Sequence, residues 1–148
     1  MKVCGVEINS NDVNVCLLSL TDEIFELPGF RSRRLTLTDI NSTRELCYFQ
    51  QTFAKLMQDY QVDRVVVRQR PMKGKFAGGA VGFKLEAAIE LISDLDVIIM
   101  STTDIKESLK RNPIQIDYGE TDLKVYQEVA FNTAYAYLMK DKYAPKEE

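Results

Sequence analysis

Histidine is absent from this 148-residue chain. That excludes Ser–His–Asp nucleophilic triads, histidine general bases and ordinary histidine-containing zinc sites. Any chemistry must rest on carboxylates, Lys, Tyr, Ser/Thr or Cys. Cysteine is scarce: Cys4, Cys16 and Cys47 are odd in number and widely spaced in apolar runs. Metal ligands come in close pairs and secreted disulfide frameworks in even sets, so reduced core residues are expected. No apolar run reaches the roughly 18 residues of a membrane-spanning helix. The opening Met-Lys-Val-Cys-Gly-Val-Glu meets an acid too early for a signal peptide, and a cytoplasmic location is expected. Two nucleotide-binding fingerprints, Gly-x-Gly-x-x-Gly and Gly-Lys-Ser/Thr, are also missing.

What is present is an ordinary globular composition, 45% hydrophobic and 28% charged. A single domain over residues 1–148 is expected, with a polar tail from about 141. A chain of this length buries roughly 70% of its unfolded surface without staples. One stretch departs from the rest. Residues 64–84 hold six cations, no acid and four glycines, in a chain of net charge −3, so the remainder sums to −9. A strand-like run therefore enters a basic, glycine-rich loop in an otherwise acidic protein, which favours an anion.

Along the chain, Lys2–Asn9 and Val13–Leu20 are apolar strands joined by the turn-forming Asn9-Ser10-Asn11-Asp12. Arg31–Thr38 is β-prone but basic at its start, as suits an edge strand that must resist unwanted pairing. Asn41-Ser42-Thr43 with Glu45 caps a helix, and Leu46, Phe49, Phe53, Leu56, Met57 and Tyr60 keep helical spacing over 43–60. Val65-Val66-Val67 reads as a strand covered on both faces. Residues 80–92 are helical, Asp96–Met100 is another buried strand, and Ser101 caps a short helix ending near Arg111. Ile114–Gly119 is a loop, and Thr121 opens a final helix to about Lys140. Three meandering strands followed by two crossover units make one mixed α/β sheet with helices on its faces.

The residues able to carry chemistry form three groups. Gly74, Gly78, Gly79 and Gly82 lead into a helix N-terminus beside Lys73 and Lys75, an arrangement that suits an anion or, equally, close packing of that helix. Glu7 is a carboxylate on the alternation of Val3 and Gly5, which requires a cation or a donor. Asp117, Glu120, Asp122 and Glu128 cluster before and within the last helix, with Glu128 and Asn132 one turn apart. Arg31, Arg33 and Arg34 either join the loop cations in one phosphate-tracking surface or protect the edge strand.

The strand order and several segments resemble the ribonuclease H-like superfamily, nearest to the RuvC-type Holliday-junction resolvases and to a small bacterial family of unknown function within it. Val3-Cys-Gly-Val-Glu7 resembles that group's apolar-x-Gly-apolar-Asp, whose acid is a metal ligand. Val65-Val-Val-Arg-Gln69 resembles an apolar run ending in Glu-Gln, whose Glu is the second ligand. Ala77–Leu91 resembles the small-residue helix at which such resolvases dimerise. Val97–Leu109, with Lys106, resembles a strand-turn-helix carrying a Val-Lys pair, and Glu128–Ala136 resembles the closing helix with two acids a turn apart. The resemblance implies a three-layer ribonuclease H-like fold, with a mixed five-stranded sheet in the order β-β-β-α-β-α-β-α.

It also implies a nuclease ancestry whose catalytic and metal positions would be Glu7, Arg68, Glu128 and Asn132. Only Glu7 and Glu128 keep an acid there. Mg²⁺ or Mn²⁺ is expected only if cleavage survives. Three functions stay open: a non-catalytic nucleic-acid binder using Arg68, Arg70, Lys73, Lys75, Arg31, Arg33 and Arg34, with Glu7 paired to Arg68; a metal nuclease rearranged onto Glu7, Asp117, Glu120 and Glu128; and a homodimeric interaction module joined through helix 77–91, with no nucleic acid. No membrane partner is expected.

Overall fold

The computed structural model describes residues 1–71 and 79–144. Strands β1 (Lys2–Asn9) and β2 (Asp12–Thr21) form an antiparallel hairpin. Its two-residue turn places Ser10 in the left-handed region at φ 57°, as tight hairpins require. A second tight turn through Asp22 and Glu23, at φ 50° and 66°, leads into β3 (Ile24–Glu26). This strand was not expected. It is three residues long, and its turn is made without the glycine or asparagine that normally marks two left-handed residues.

β4 (Arg34–Thr36) pairs with the opposite end of β2, where Asp12, Val13 and Asn14 face Thr36, Leu35 and Arg34. The basic edge strand expected over 31–38 is thus real but shorter in the ladder. Then follow α1 (Thr43–Asp59), β5 (Arg64–Arg68), α2 (Ala80–Glu90), β6 (Val97–Met100), α3 (Thr102–Arg111) and α4 (Glu128–Lys142). Ser42 and Ser101 cap α1 and α3, their side chains accepting from the Glu45 and Asp104 amides. The described residues form a mixed sheet of six strands instead of five, in the order β3-β2-β1-β5-β6, with β4 beside β2. β1, β5 and β6 are mutually parallel.

Strand alternation divides the core into two layers. Cys4, Val6, Ile8, Val65 and Val67 point to α1 and α2, meeting Phe49, Phe53, Leu56, Leu85 and Ile89. Val3, Cys16, Leu18 and Val66 point to α3 and α4, meeting Ile105, Ala130, Phe131, Ala134 and Leu138. All three valines of β5 are fully buried, as a strand covered on both faces must be. β6 differs from expectation: Val97, Ile98 and Ile99 are only half-buried, because β6 is the sheet edge. Cys4 and Cys16 are buried, but Cys47 is exposed on α1, which corrects its assignment to the core.

The last helix begins at Glu128 instead of Thr121. Thr121 donates its hydroxyl to the Tyr118 carbonyl and accepts from the Leu123 amide, a local turn that competes with helix. Single 3₁₀ turns stand at Tyr118–Glu120, just before Thr121, and at Val125–Gln127, just ahead of α4. The helix also continues to Lys142, past the expected start of the tail. No helix among the described residues is long and apolar enough to cross a membrane.

α4 lies against β1 at Gly5. A Cβ there would fall on the Ala130 carbonyl oxygen and within 2.9 Å of the Ala134 methyl. Glycine is required by this backbone-to-backbone approach. Replacing Gly5 by Ala is expected to lower unfolding stability by about 2–3 kcal/mol. Replacing Gly29, around which a Cβ meets nothing within 4 Å, should change it by less than about 0.5 kcal/mol. Urea denaturation of the two variants checks the contrast.

Candidate functional site

The carboxyl ends of the parallel strands β1 and β5 bring several polar residues onto the face covered by α4. Arg34 pairs with Asn14, and Asn14 with Glu7. Val6 pairs with Val67, so the next step of that ladder sets Glu7 level with Arg68. Gly5 and Val66 both face α4, and alternation carries Glu7 and Arg68 to the same side. The result is a cross-strand row, Arg34–Asn14–Glu7–Arg68, over β4, β2, β1 and β5. At the usual strand spacing the Cα atoms of Glu7 and Arg68 lie about 5 Å apart and the row spans about 14 Å.

Asn14 organises one half of this row. It is 1% exposed, donates from Nδ2 to Glu7 Oε1 at 3.2 Å, and accepts at Oδ1 from Arg34 Nε at 2.8 Å. The Arg34 guanidinium then lies over the Tyr126 ring, 3.9 Å from its centroid. Tyr126 is held there by its neighbour. Gln127 is buried, donates from Nε2 to the Val15 carbonyl at 2.9 Å and accepts from the Lys124 amide at 2.8 Å. Asp12 stands at the margin, with Oδ1 accepting from Thr36 at 2.6 Å and Oδ2 3.9 Å from Arg34 Nε.

The expected Glu7–Arg68 ion pair is not formed. Among the described residues the hydrogen-bond partner of Glu7 is Asn14, and Arg68, half-buried, makes neither an ion pair nor a side-chain hydrogen bond. Asn14 already supplies the donor that a strand carboxylate needs. α4 brings Asn132, half-buried, and Glu128, exposed, to the same end of the sheet. Asp117 and Glu120 are exposed in the first 3₁₀ turn, where Asp117 caps the Gly119 amide. No three acids or cysteines among the described residues stand close enough to hold a metal ion together.

Among the described residues, the cations expected to form one basic surface are dispersed. Arg31 pairs with Asp59 at 2.7 Å and lies against Tyr60, at the end of α1 on the other face of the sheet. That pairing holds the Asp59 carboxyl below its usual range. Arg33 is exposed. Arg70 is 8% exposed and donates to the Ile8 carbonyl at 2.6 Å, so it is a structural residue and not a phosphate contact. Its guanidinium occupies the space a Gly82 side chain would need and packs on Phe83. Gly82 is therefore there for close packing. Arg64, at the far end of β5, is bound to Asp96 at 2.6 Å and to the Tyr137 hydroxyl. Lys73, Lys75, Gly74 and Gly78 lie outside the described residues.

Sequence reasoning missed Asn14, Tyr126 and Gln127. One signal was available: a turn centred on Ser10–Asn11 sets Glu7 opposite Asn14, a polar residue in an otherwise apolar run. Tyr126 and Gln127 carried none, because a helix was expected through them.

This architecture is a ribonuclease H-like fold, similar to that of RuvC. Thermus thermophilus RuvC superposes with a TM-score of 0.75 at 8% identity, covering 96% of each chain. A Fowlpox virus resolvase in complex with Holliday junction DNA gives 0.53 at 14% identity, over 97% of this chain and all of that one. The yeast mitochondrial Holliday junction resolvase Ydc2 gives 0.54 at 6% identity, over 93% and 75%. The chain itself belongs to the family described as protein of unknown function (DUF3010), whose model matches residues 1–137. No curated protein matches it.

The contact between Arg70 and Gly82 yields a double-mutant test. Gly82→Ala in the native background displaces the guanidinium and should cost about 1–3 kcal/mol. In an Arg70→Ala background the same change should be neutral or stabilise by up to about 1 kcal/mol through helix propensity. Denaturant unfolding of the four proteins measures the reversal.

Proposed function

We propose that this chain is a nucleic-acid-binding protein of resolvase-like fold whose metal-nuclease site is degenerate. The observation that carries the reading is the row Arg34–Asn14–Glu7–Arg68. Two-metal hydrolysis needs converging carboxylates to hold ions about 4 Å apart. Here an amide and an arginine flank Glu7, and the remaining acid at the helix end, Glu128, is exposed. A guanidinium about 4 Å from a divalent ion opposes its binding by about 8 kcal/mol at an effective dielectric of 20. The donor set does not fit a catalytic pair of Mg²⁺ or Mn²⁺ ions. Nucleic acid is supported as the ligand by the fold and by the arginines that remain on this face, Arg34 and Arg68.

Mobility-shift assays with four-way junction, single-stranded DNA and RNA test this reading. Binding that weakens with rising salt is expected, without cleavage in Mg²⁺ or Mn²⁺. Absence of binding at low salt would remove the reading. Mn²⁺-dependent cleavage lost in Glu7→Gln would restore the enzyme. The resemblance also supports a homodimer through α2, whose C-cap Leu91 is 76% exposed. Light scattering should give twice the chain mass, and Leu91→Asp should shift it toward the monomer.

A further inference from the structure

We infer that the carboxyl end of the sheet is a metal-independent phosphodiester site, in which Arg34, preset by Asn14 and Tyr126, and Arg68 contact the backbone of a nucleic acid strand directly. This rests on the nucleic-acid reading above and specifies which side chains make the contact and how.

The geometry of Arg34 carries the inference. A guanidinium presents five N–H donors in a rigid plane. The Nε donor is satisfied by Asn14 at 2.8 Å, and one face of the plane is covered by Tyr126 at 3.9 Å. Among the described residues the two terminal nitrogens have no hydrogen-bond partner, while the side chain is 37% exposed. One edge and one face are thus fixed, and the two terminal nitrogens, the fork that matches a phosphate bidentately, remain without a partner among the described residues. Little side-chain entropy remains to be lost when an oxyanion arrives. Asn14 is immobilised by burial and by Glu7 at its other end, so Glu7 acts here as an anchor for Asn14. Arg68 lies on the same face at the far end of the row, about 14 Å away across the strands, and supplies a second cation.

Glu7, the acid in the row, and Asp12 at its margin set the sign of the test. Asp12 and Glu7 partly neutralise the two arginines, so an incoming phosphate meets a nearly neutral surface on which the fork, and not bulk charge, provides attraction. An oxyanion in the row is repelled by Glu7, whereas a bound cation would depend on it. Removing the charge of Glu7 therefore moves affinity in opposite directions for the two kinds of ligand.

Fluorescence polarisation with labelled single-stranded and four-way junction DNA, in EDTA and at several salt concentrations, reads this out. Binding in EDTA should equal that in Mg²⁺. Arg34→Lys, which keeps the charge but not the fork, should weaken binding about tenfold, nearly as much as Arg34→Ala. Arg68→Ala should reduce the salt slope by about one. Glu7→Gln should tighten binding several-fold. Tyr126→Phe should bind like the native protein and Tyr126→Leu should not, since only the former keeps the stacked face. Arg111→Ala, on α3 and paired with Glu107, should bind normally. If the native protein binds DNA and Arg34→Lys, Arg34→Ala and Arg68→Ala bind equally well, this site is wrong and the broader reading stands. Loss of binding in EDTA or in Glu7→Gln would assign a cation to the row and overturn the inference. Absence of native binding overturns both.

Discussion

The close approach of α4 to β1 at Gly5 is the constraint on which the candidate site depends. Ala130 and Ala134 meet the strand where any side chain would hold them off. Because the contact is backbone to backbone, it sets the depth of the helix against the sheet. Gln127, one turn earlier, then reaches the Val15 carbonyl, and Tyr126 beside it reaches Arg34. A helix displaced outward by a methyl group would break both contacts. The orientation of a surface arginine on an edge strand is thus traced to a glycine on a central one.

The same dependence explains how charge is distributed. Among the described residues, the cations from Arg64 to Lys84 adjoin only in sequence. Arg64 closes the amino end of β5 with Asp96 and Tyr137. Arg68 stands at the carboxyl end in the polar row, Arg70 is buried under the first turn of α2, and Lys84 bonds the Ile40 carbonyl. A strand advances about 3.3 Å per residue, so Arg64 and Arg68, though on one face, stand about 13 Å apart at opposite ends of β5, and Arg70 lies beyond the strand. Arg70 follows its own logic: a cation near the core persists because a carbonyl and an aromatic ring receive it, and Gly82 leaves it room.

Much of the architecture was legible beforehand, for identifiable reasons. β1, α1, β5 and α3 announce themselves by alternation, helical spacing, a β-branched run and serine caps. β3 escaped because it is three residues long and its left-handed turn is built from Asp22 and Glu23. The start of α4 escaped because the turn at Thr121 is hydrogen-bonded by side chains, which periodicity does not register. At the site, Glu7 and Arg68 were legible as neighbours in strand register. That they would not pair was not legible, since the competing donor, Asn14, arrives from β2.

The sequence by itself determined the mixed α/β class of fold and the absence of histidine chemistry. These follow from composition and from local periodicity, which act over a few residues. Tertiary structure alone decided which cations share a face, that Arg70 is internal, and that Arg34 is held between Asn14 and Tyr126. Those outcomes depend on groups 20 to 112 residues apart in the chain. Strand pairing brings Arg34 to Asn14, and the packing of α4 onto the sheet brings Gln127 to Val15, each to within 3 Å.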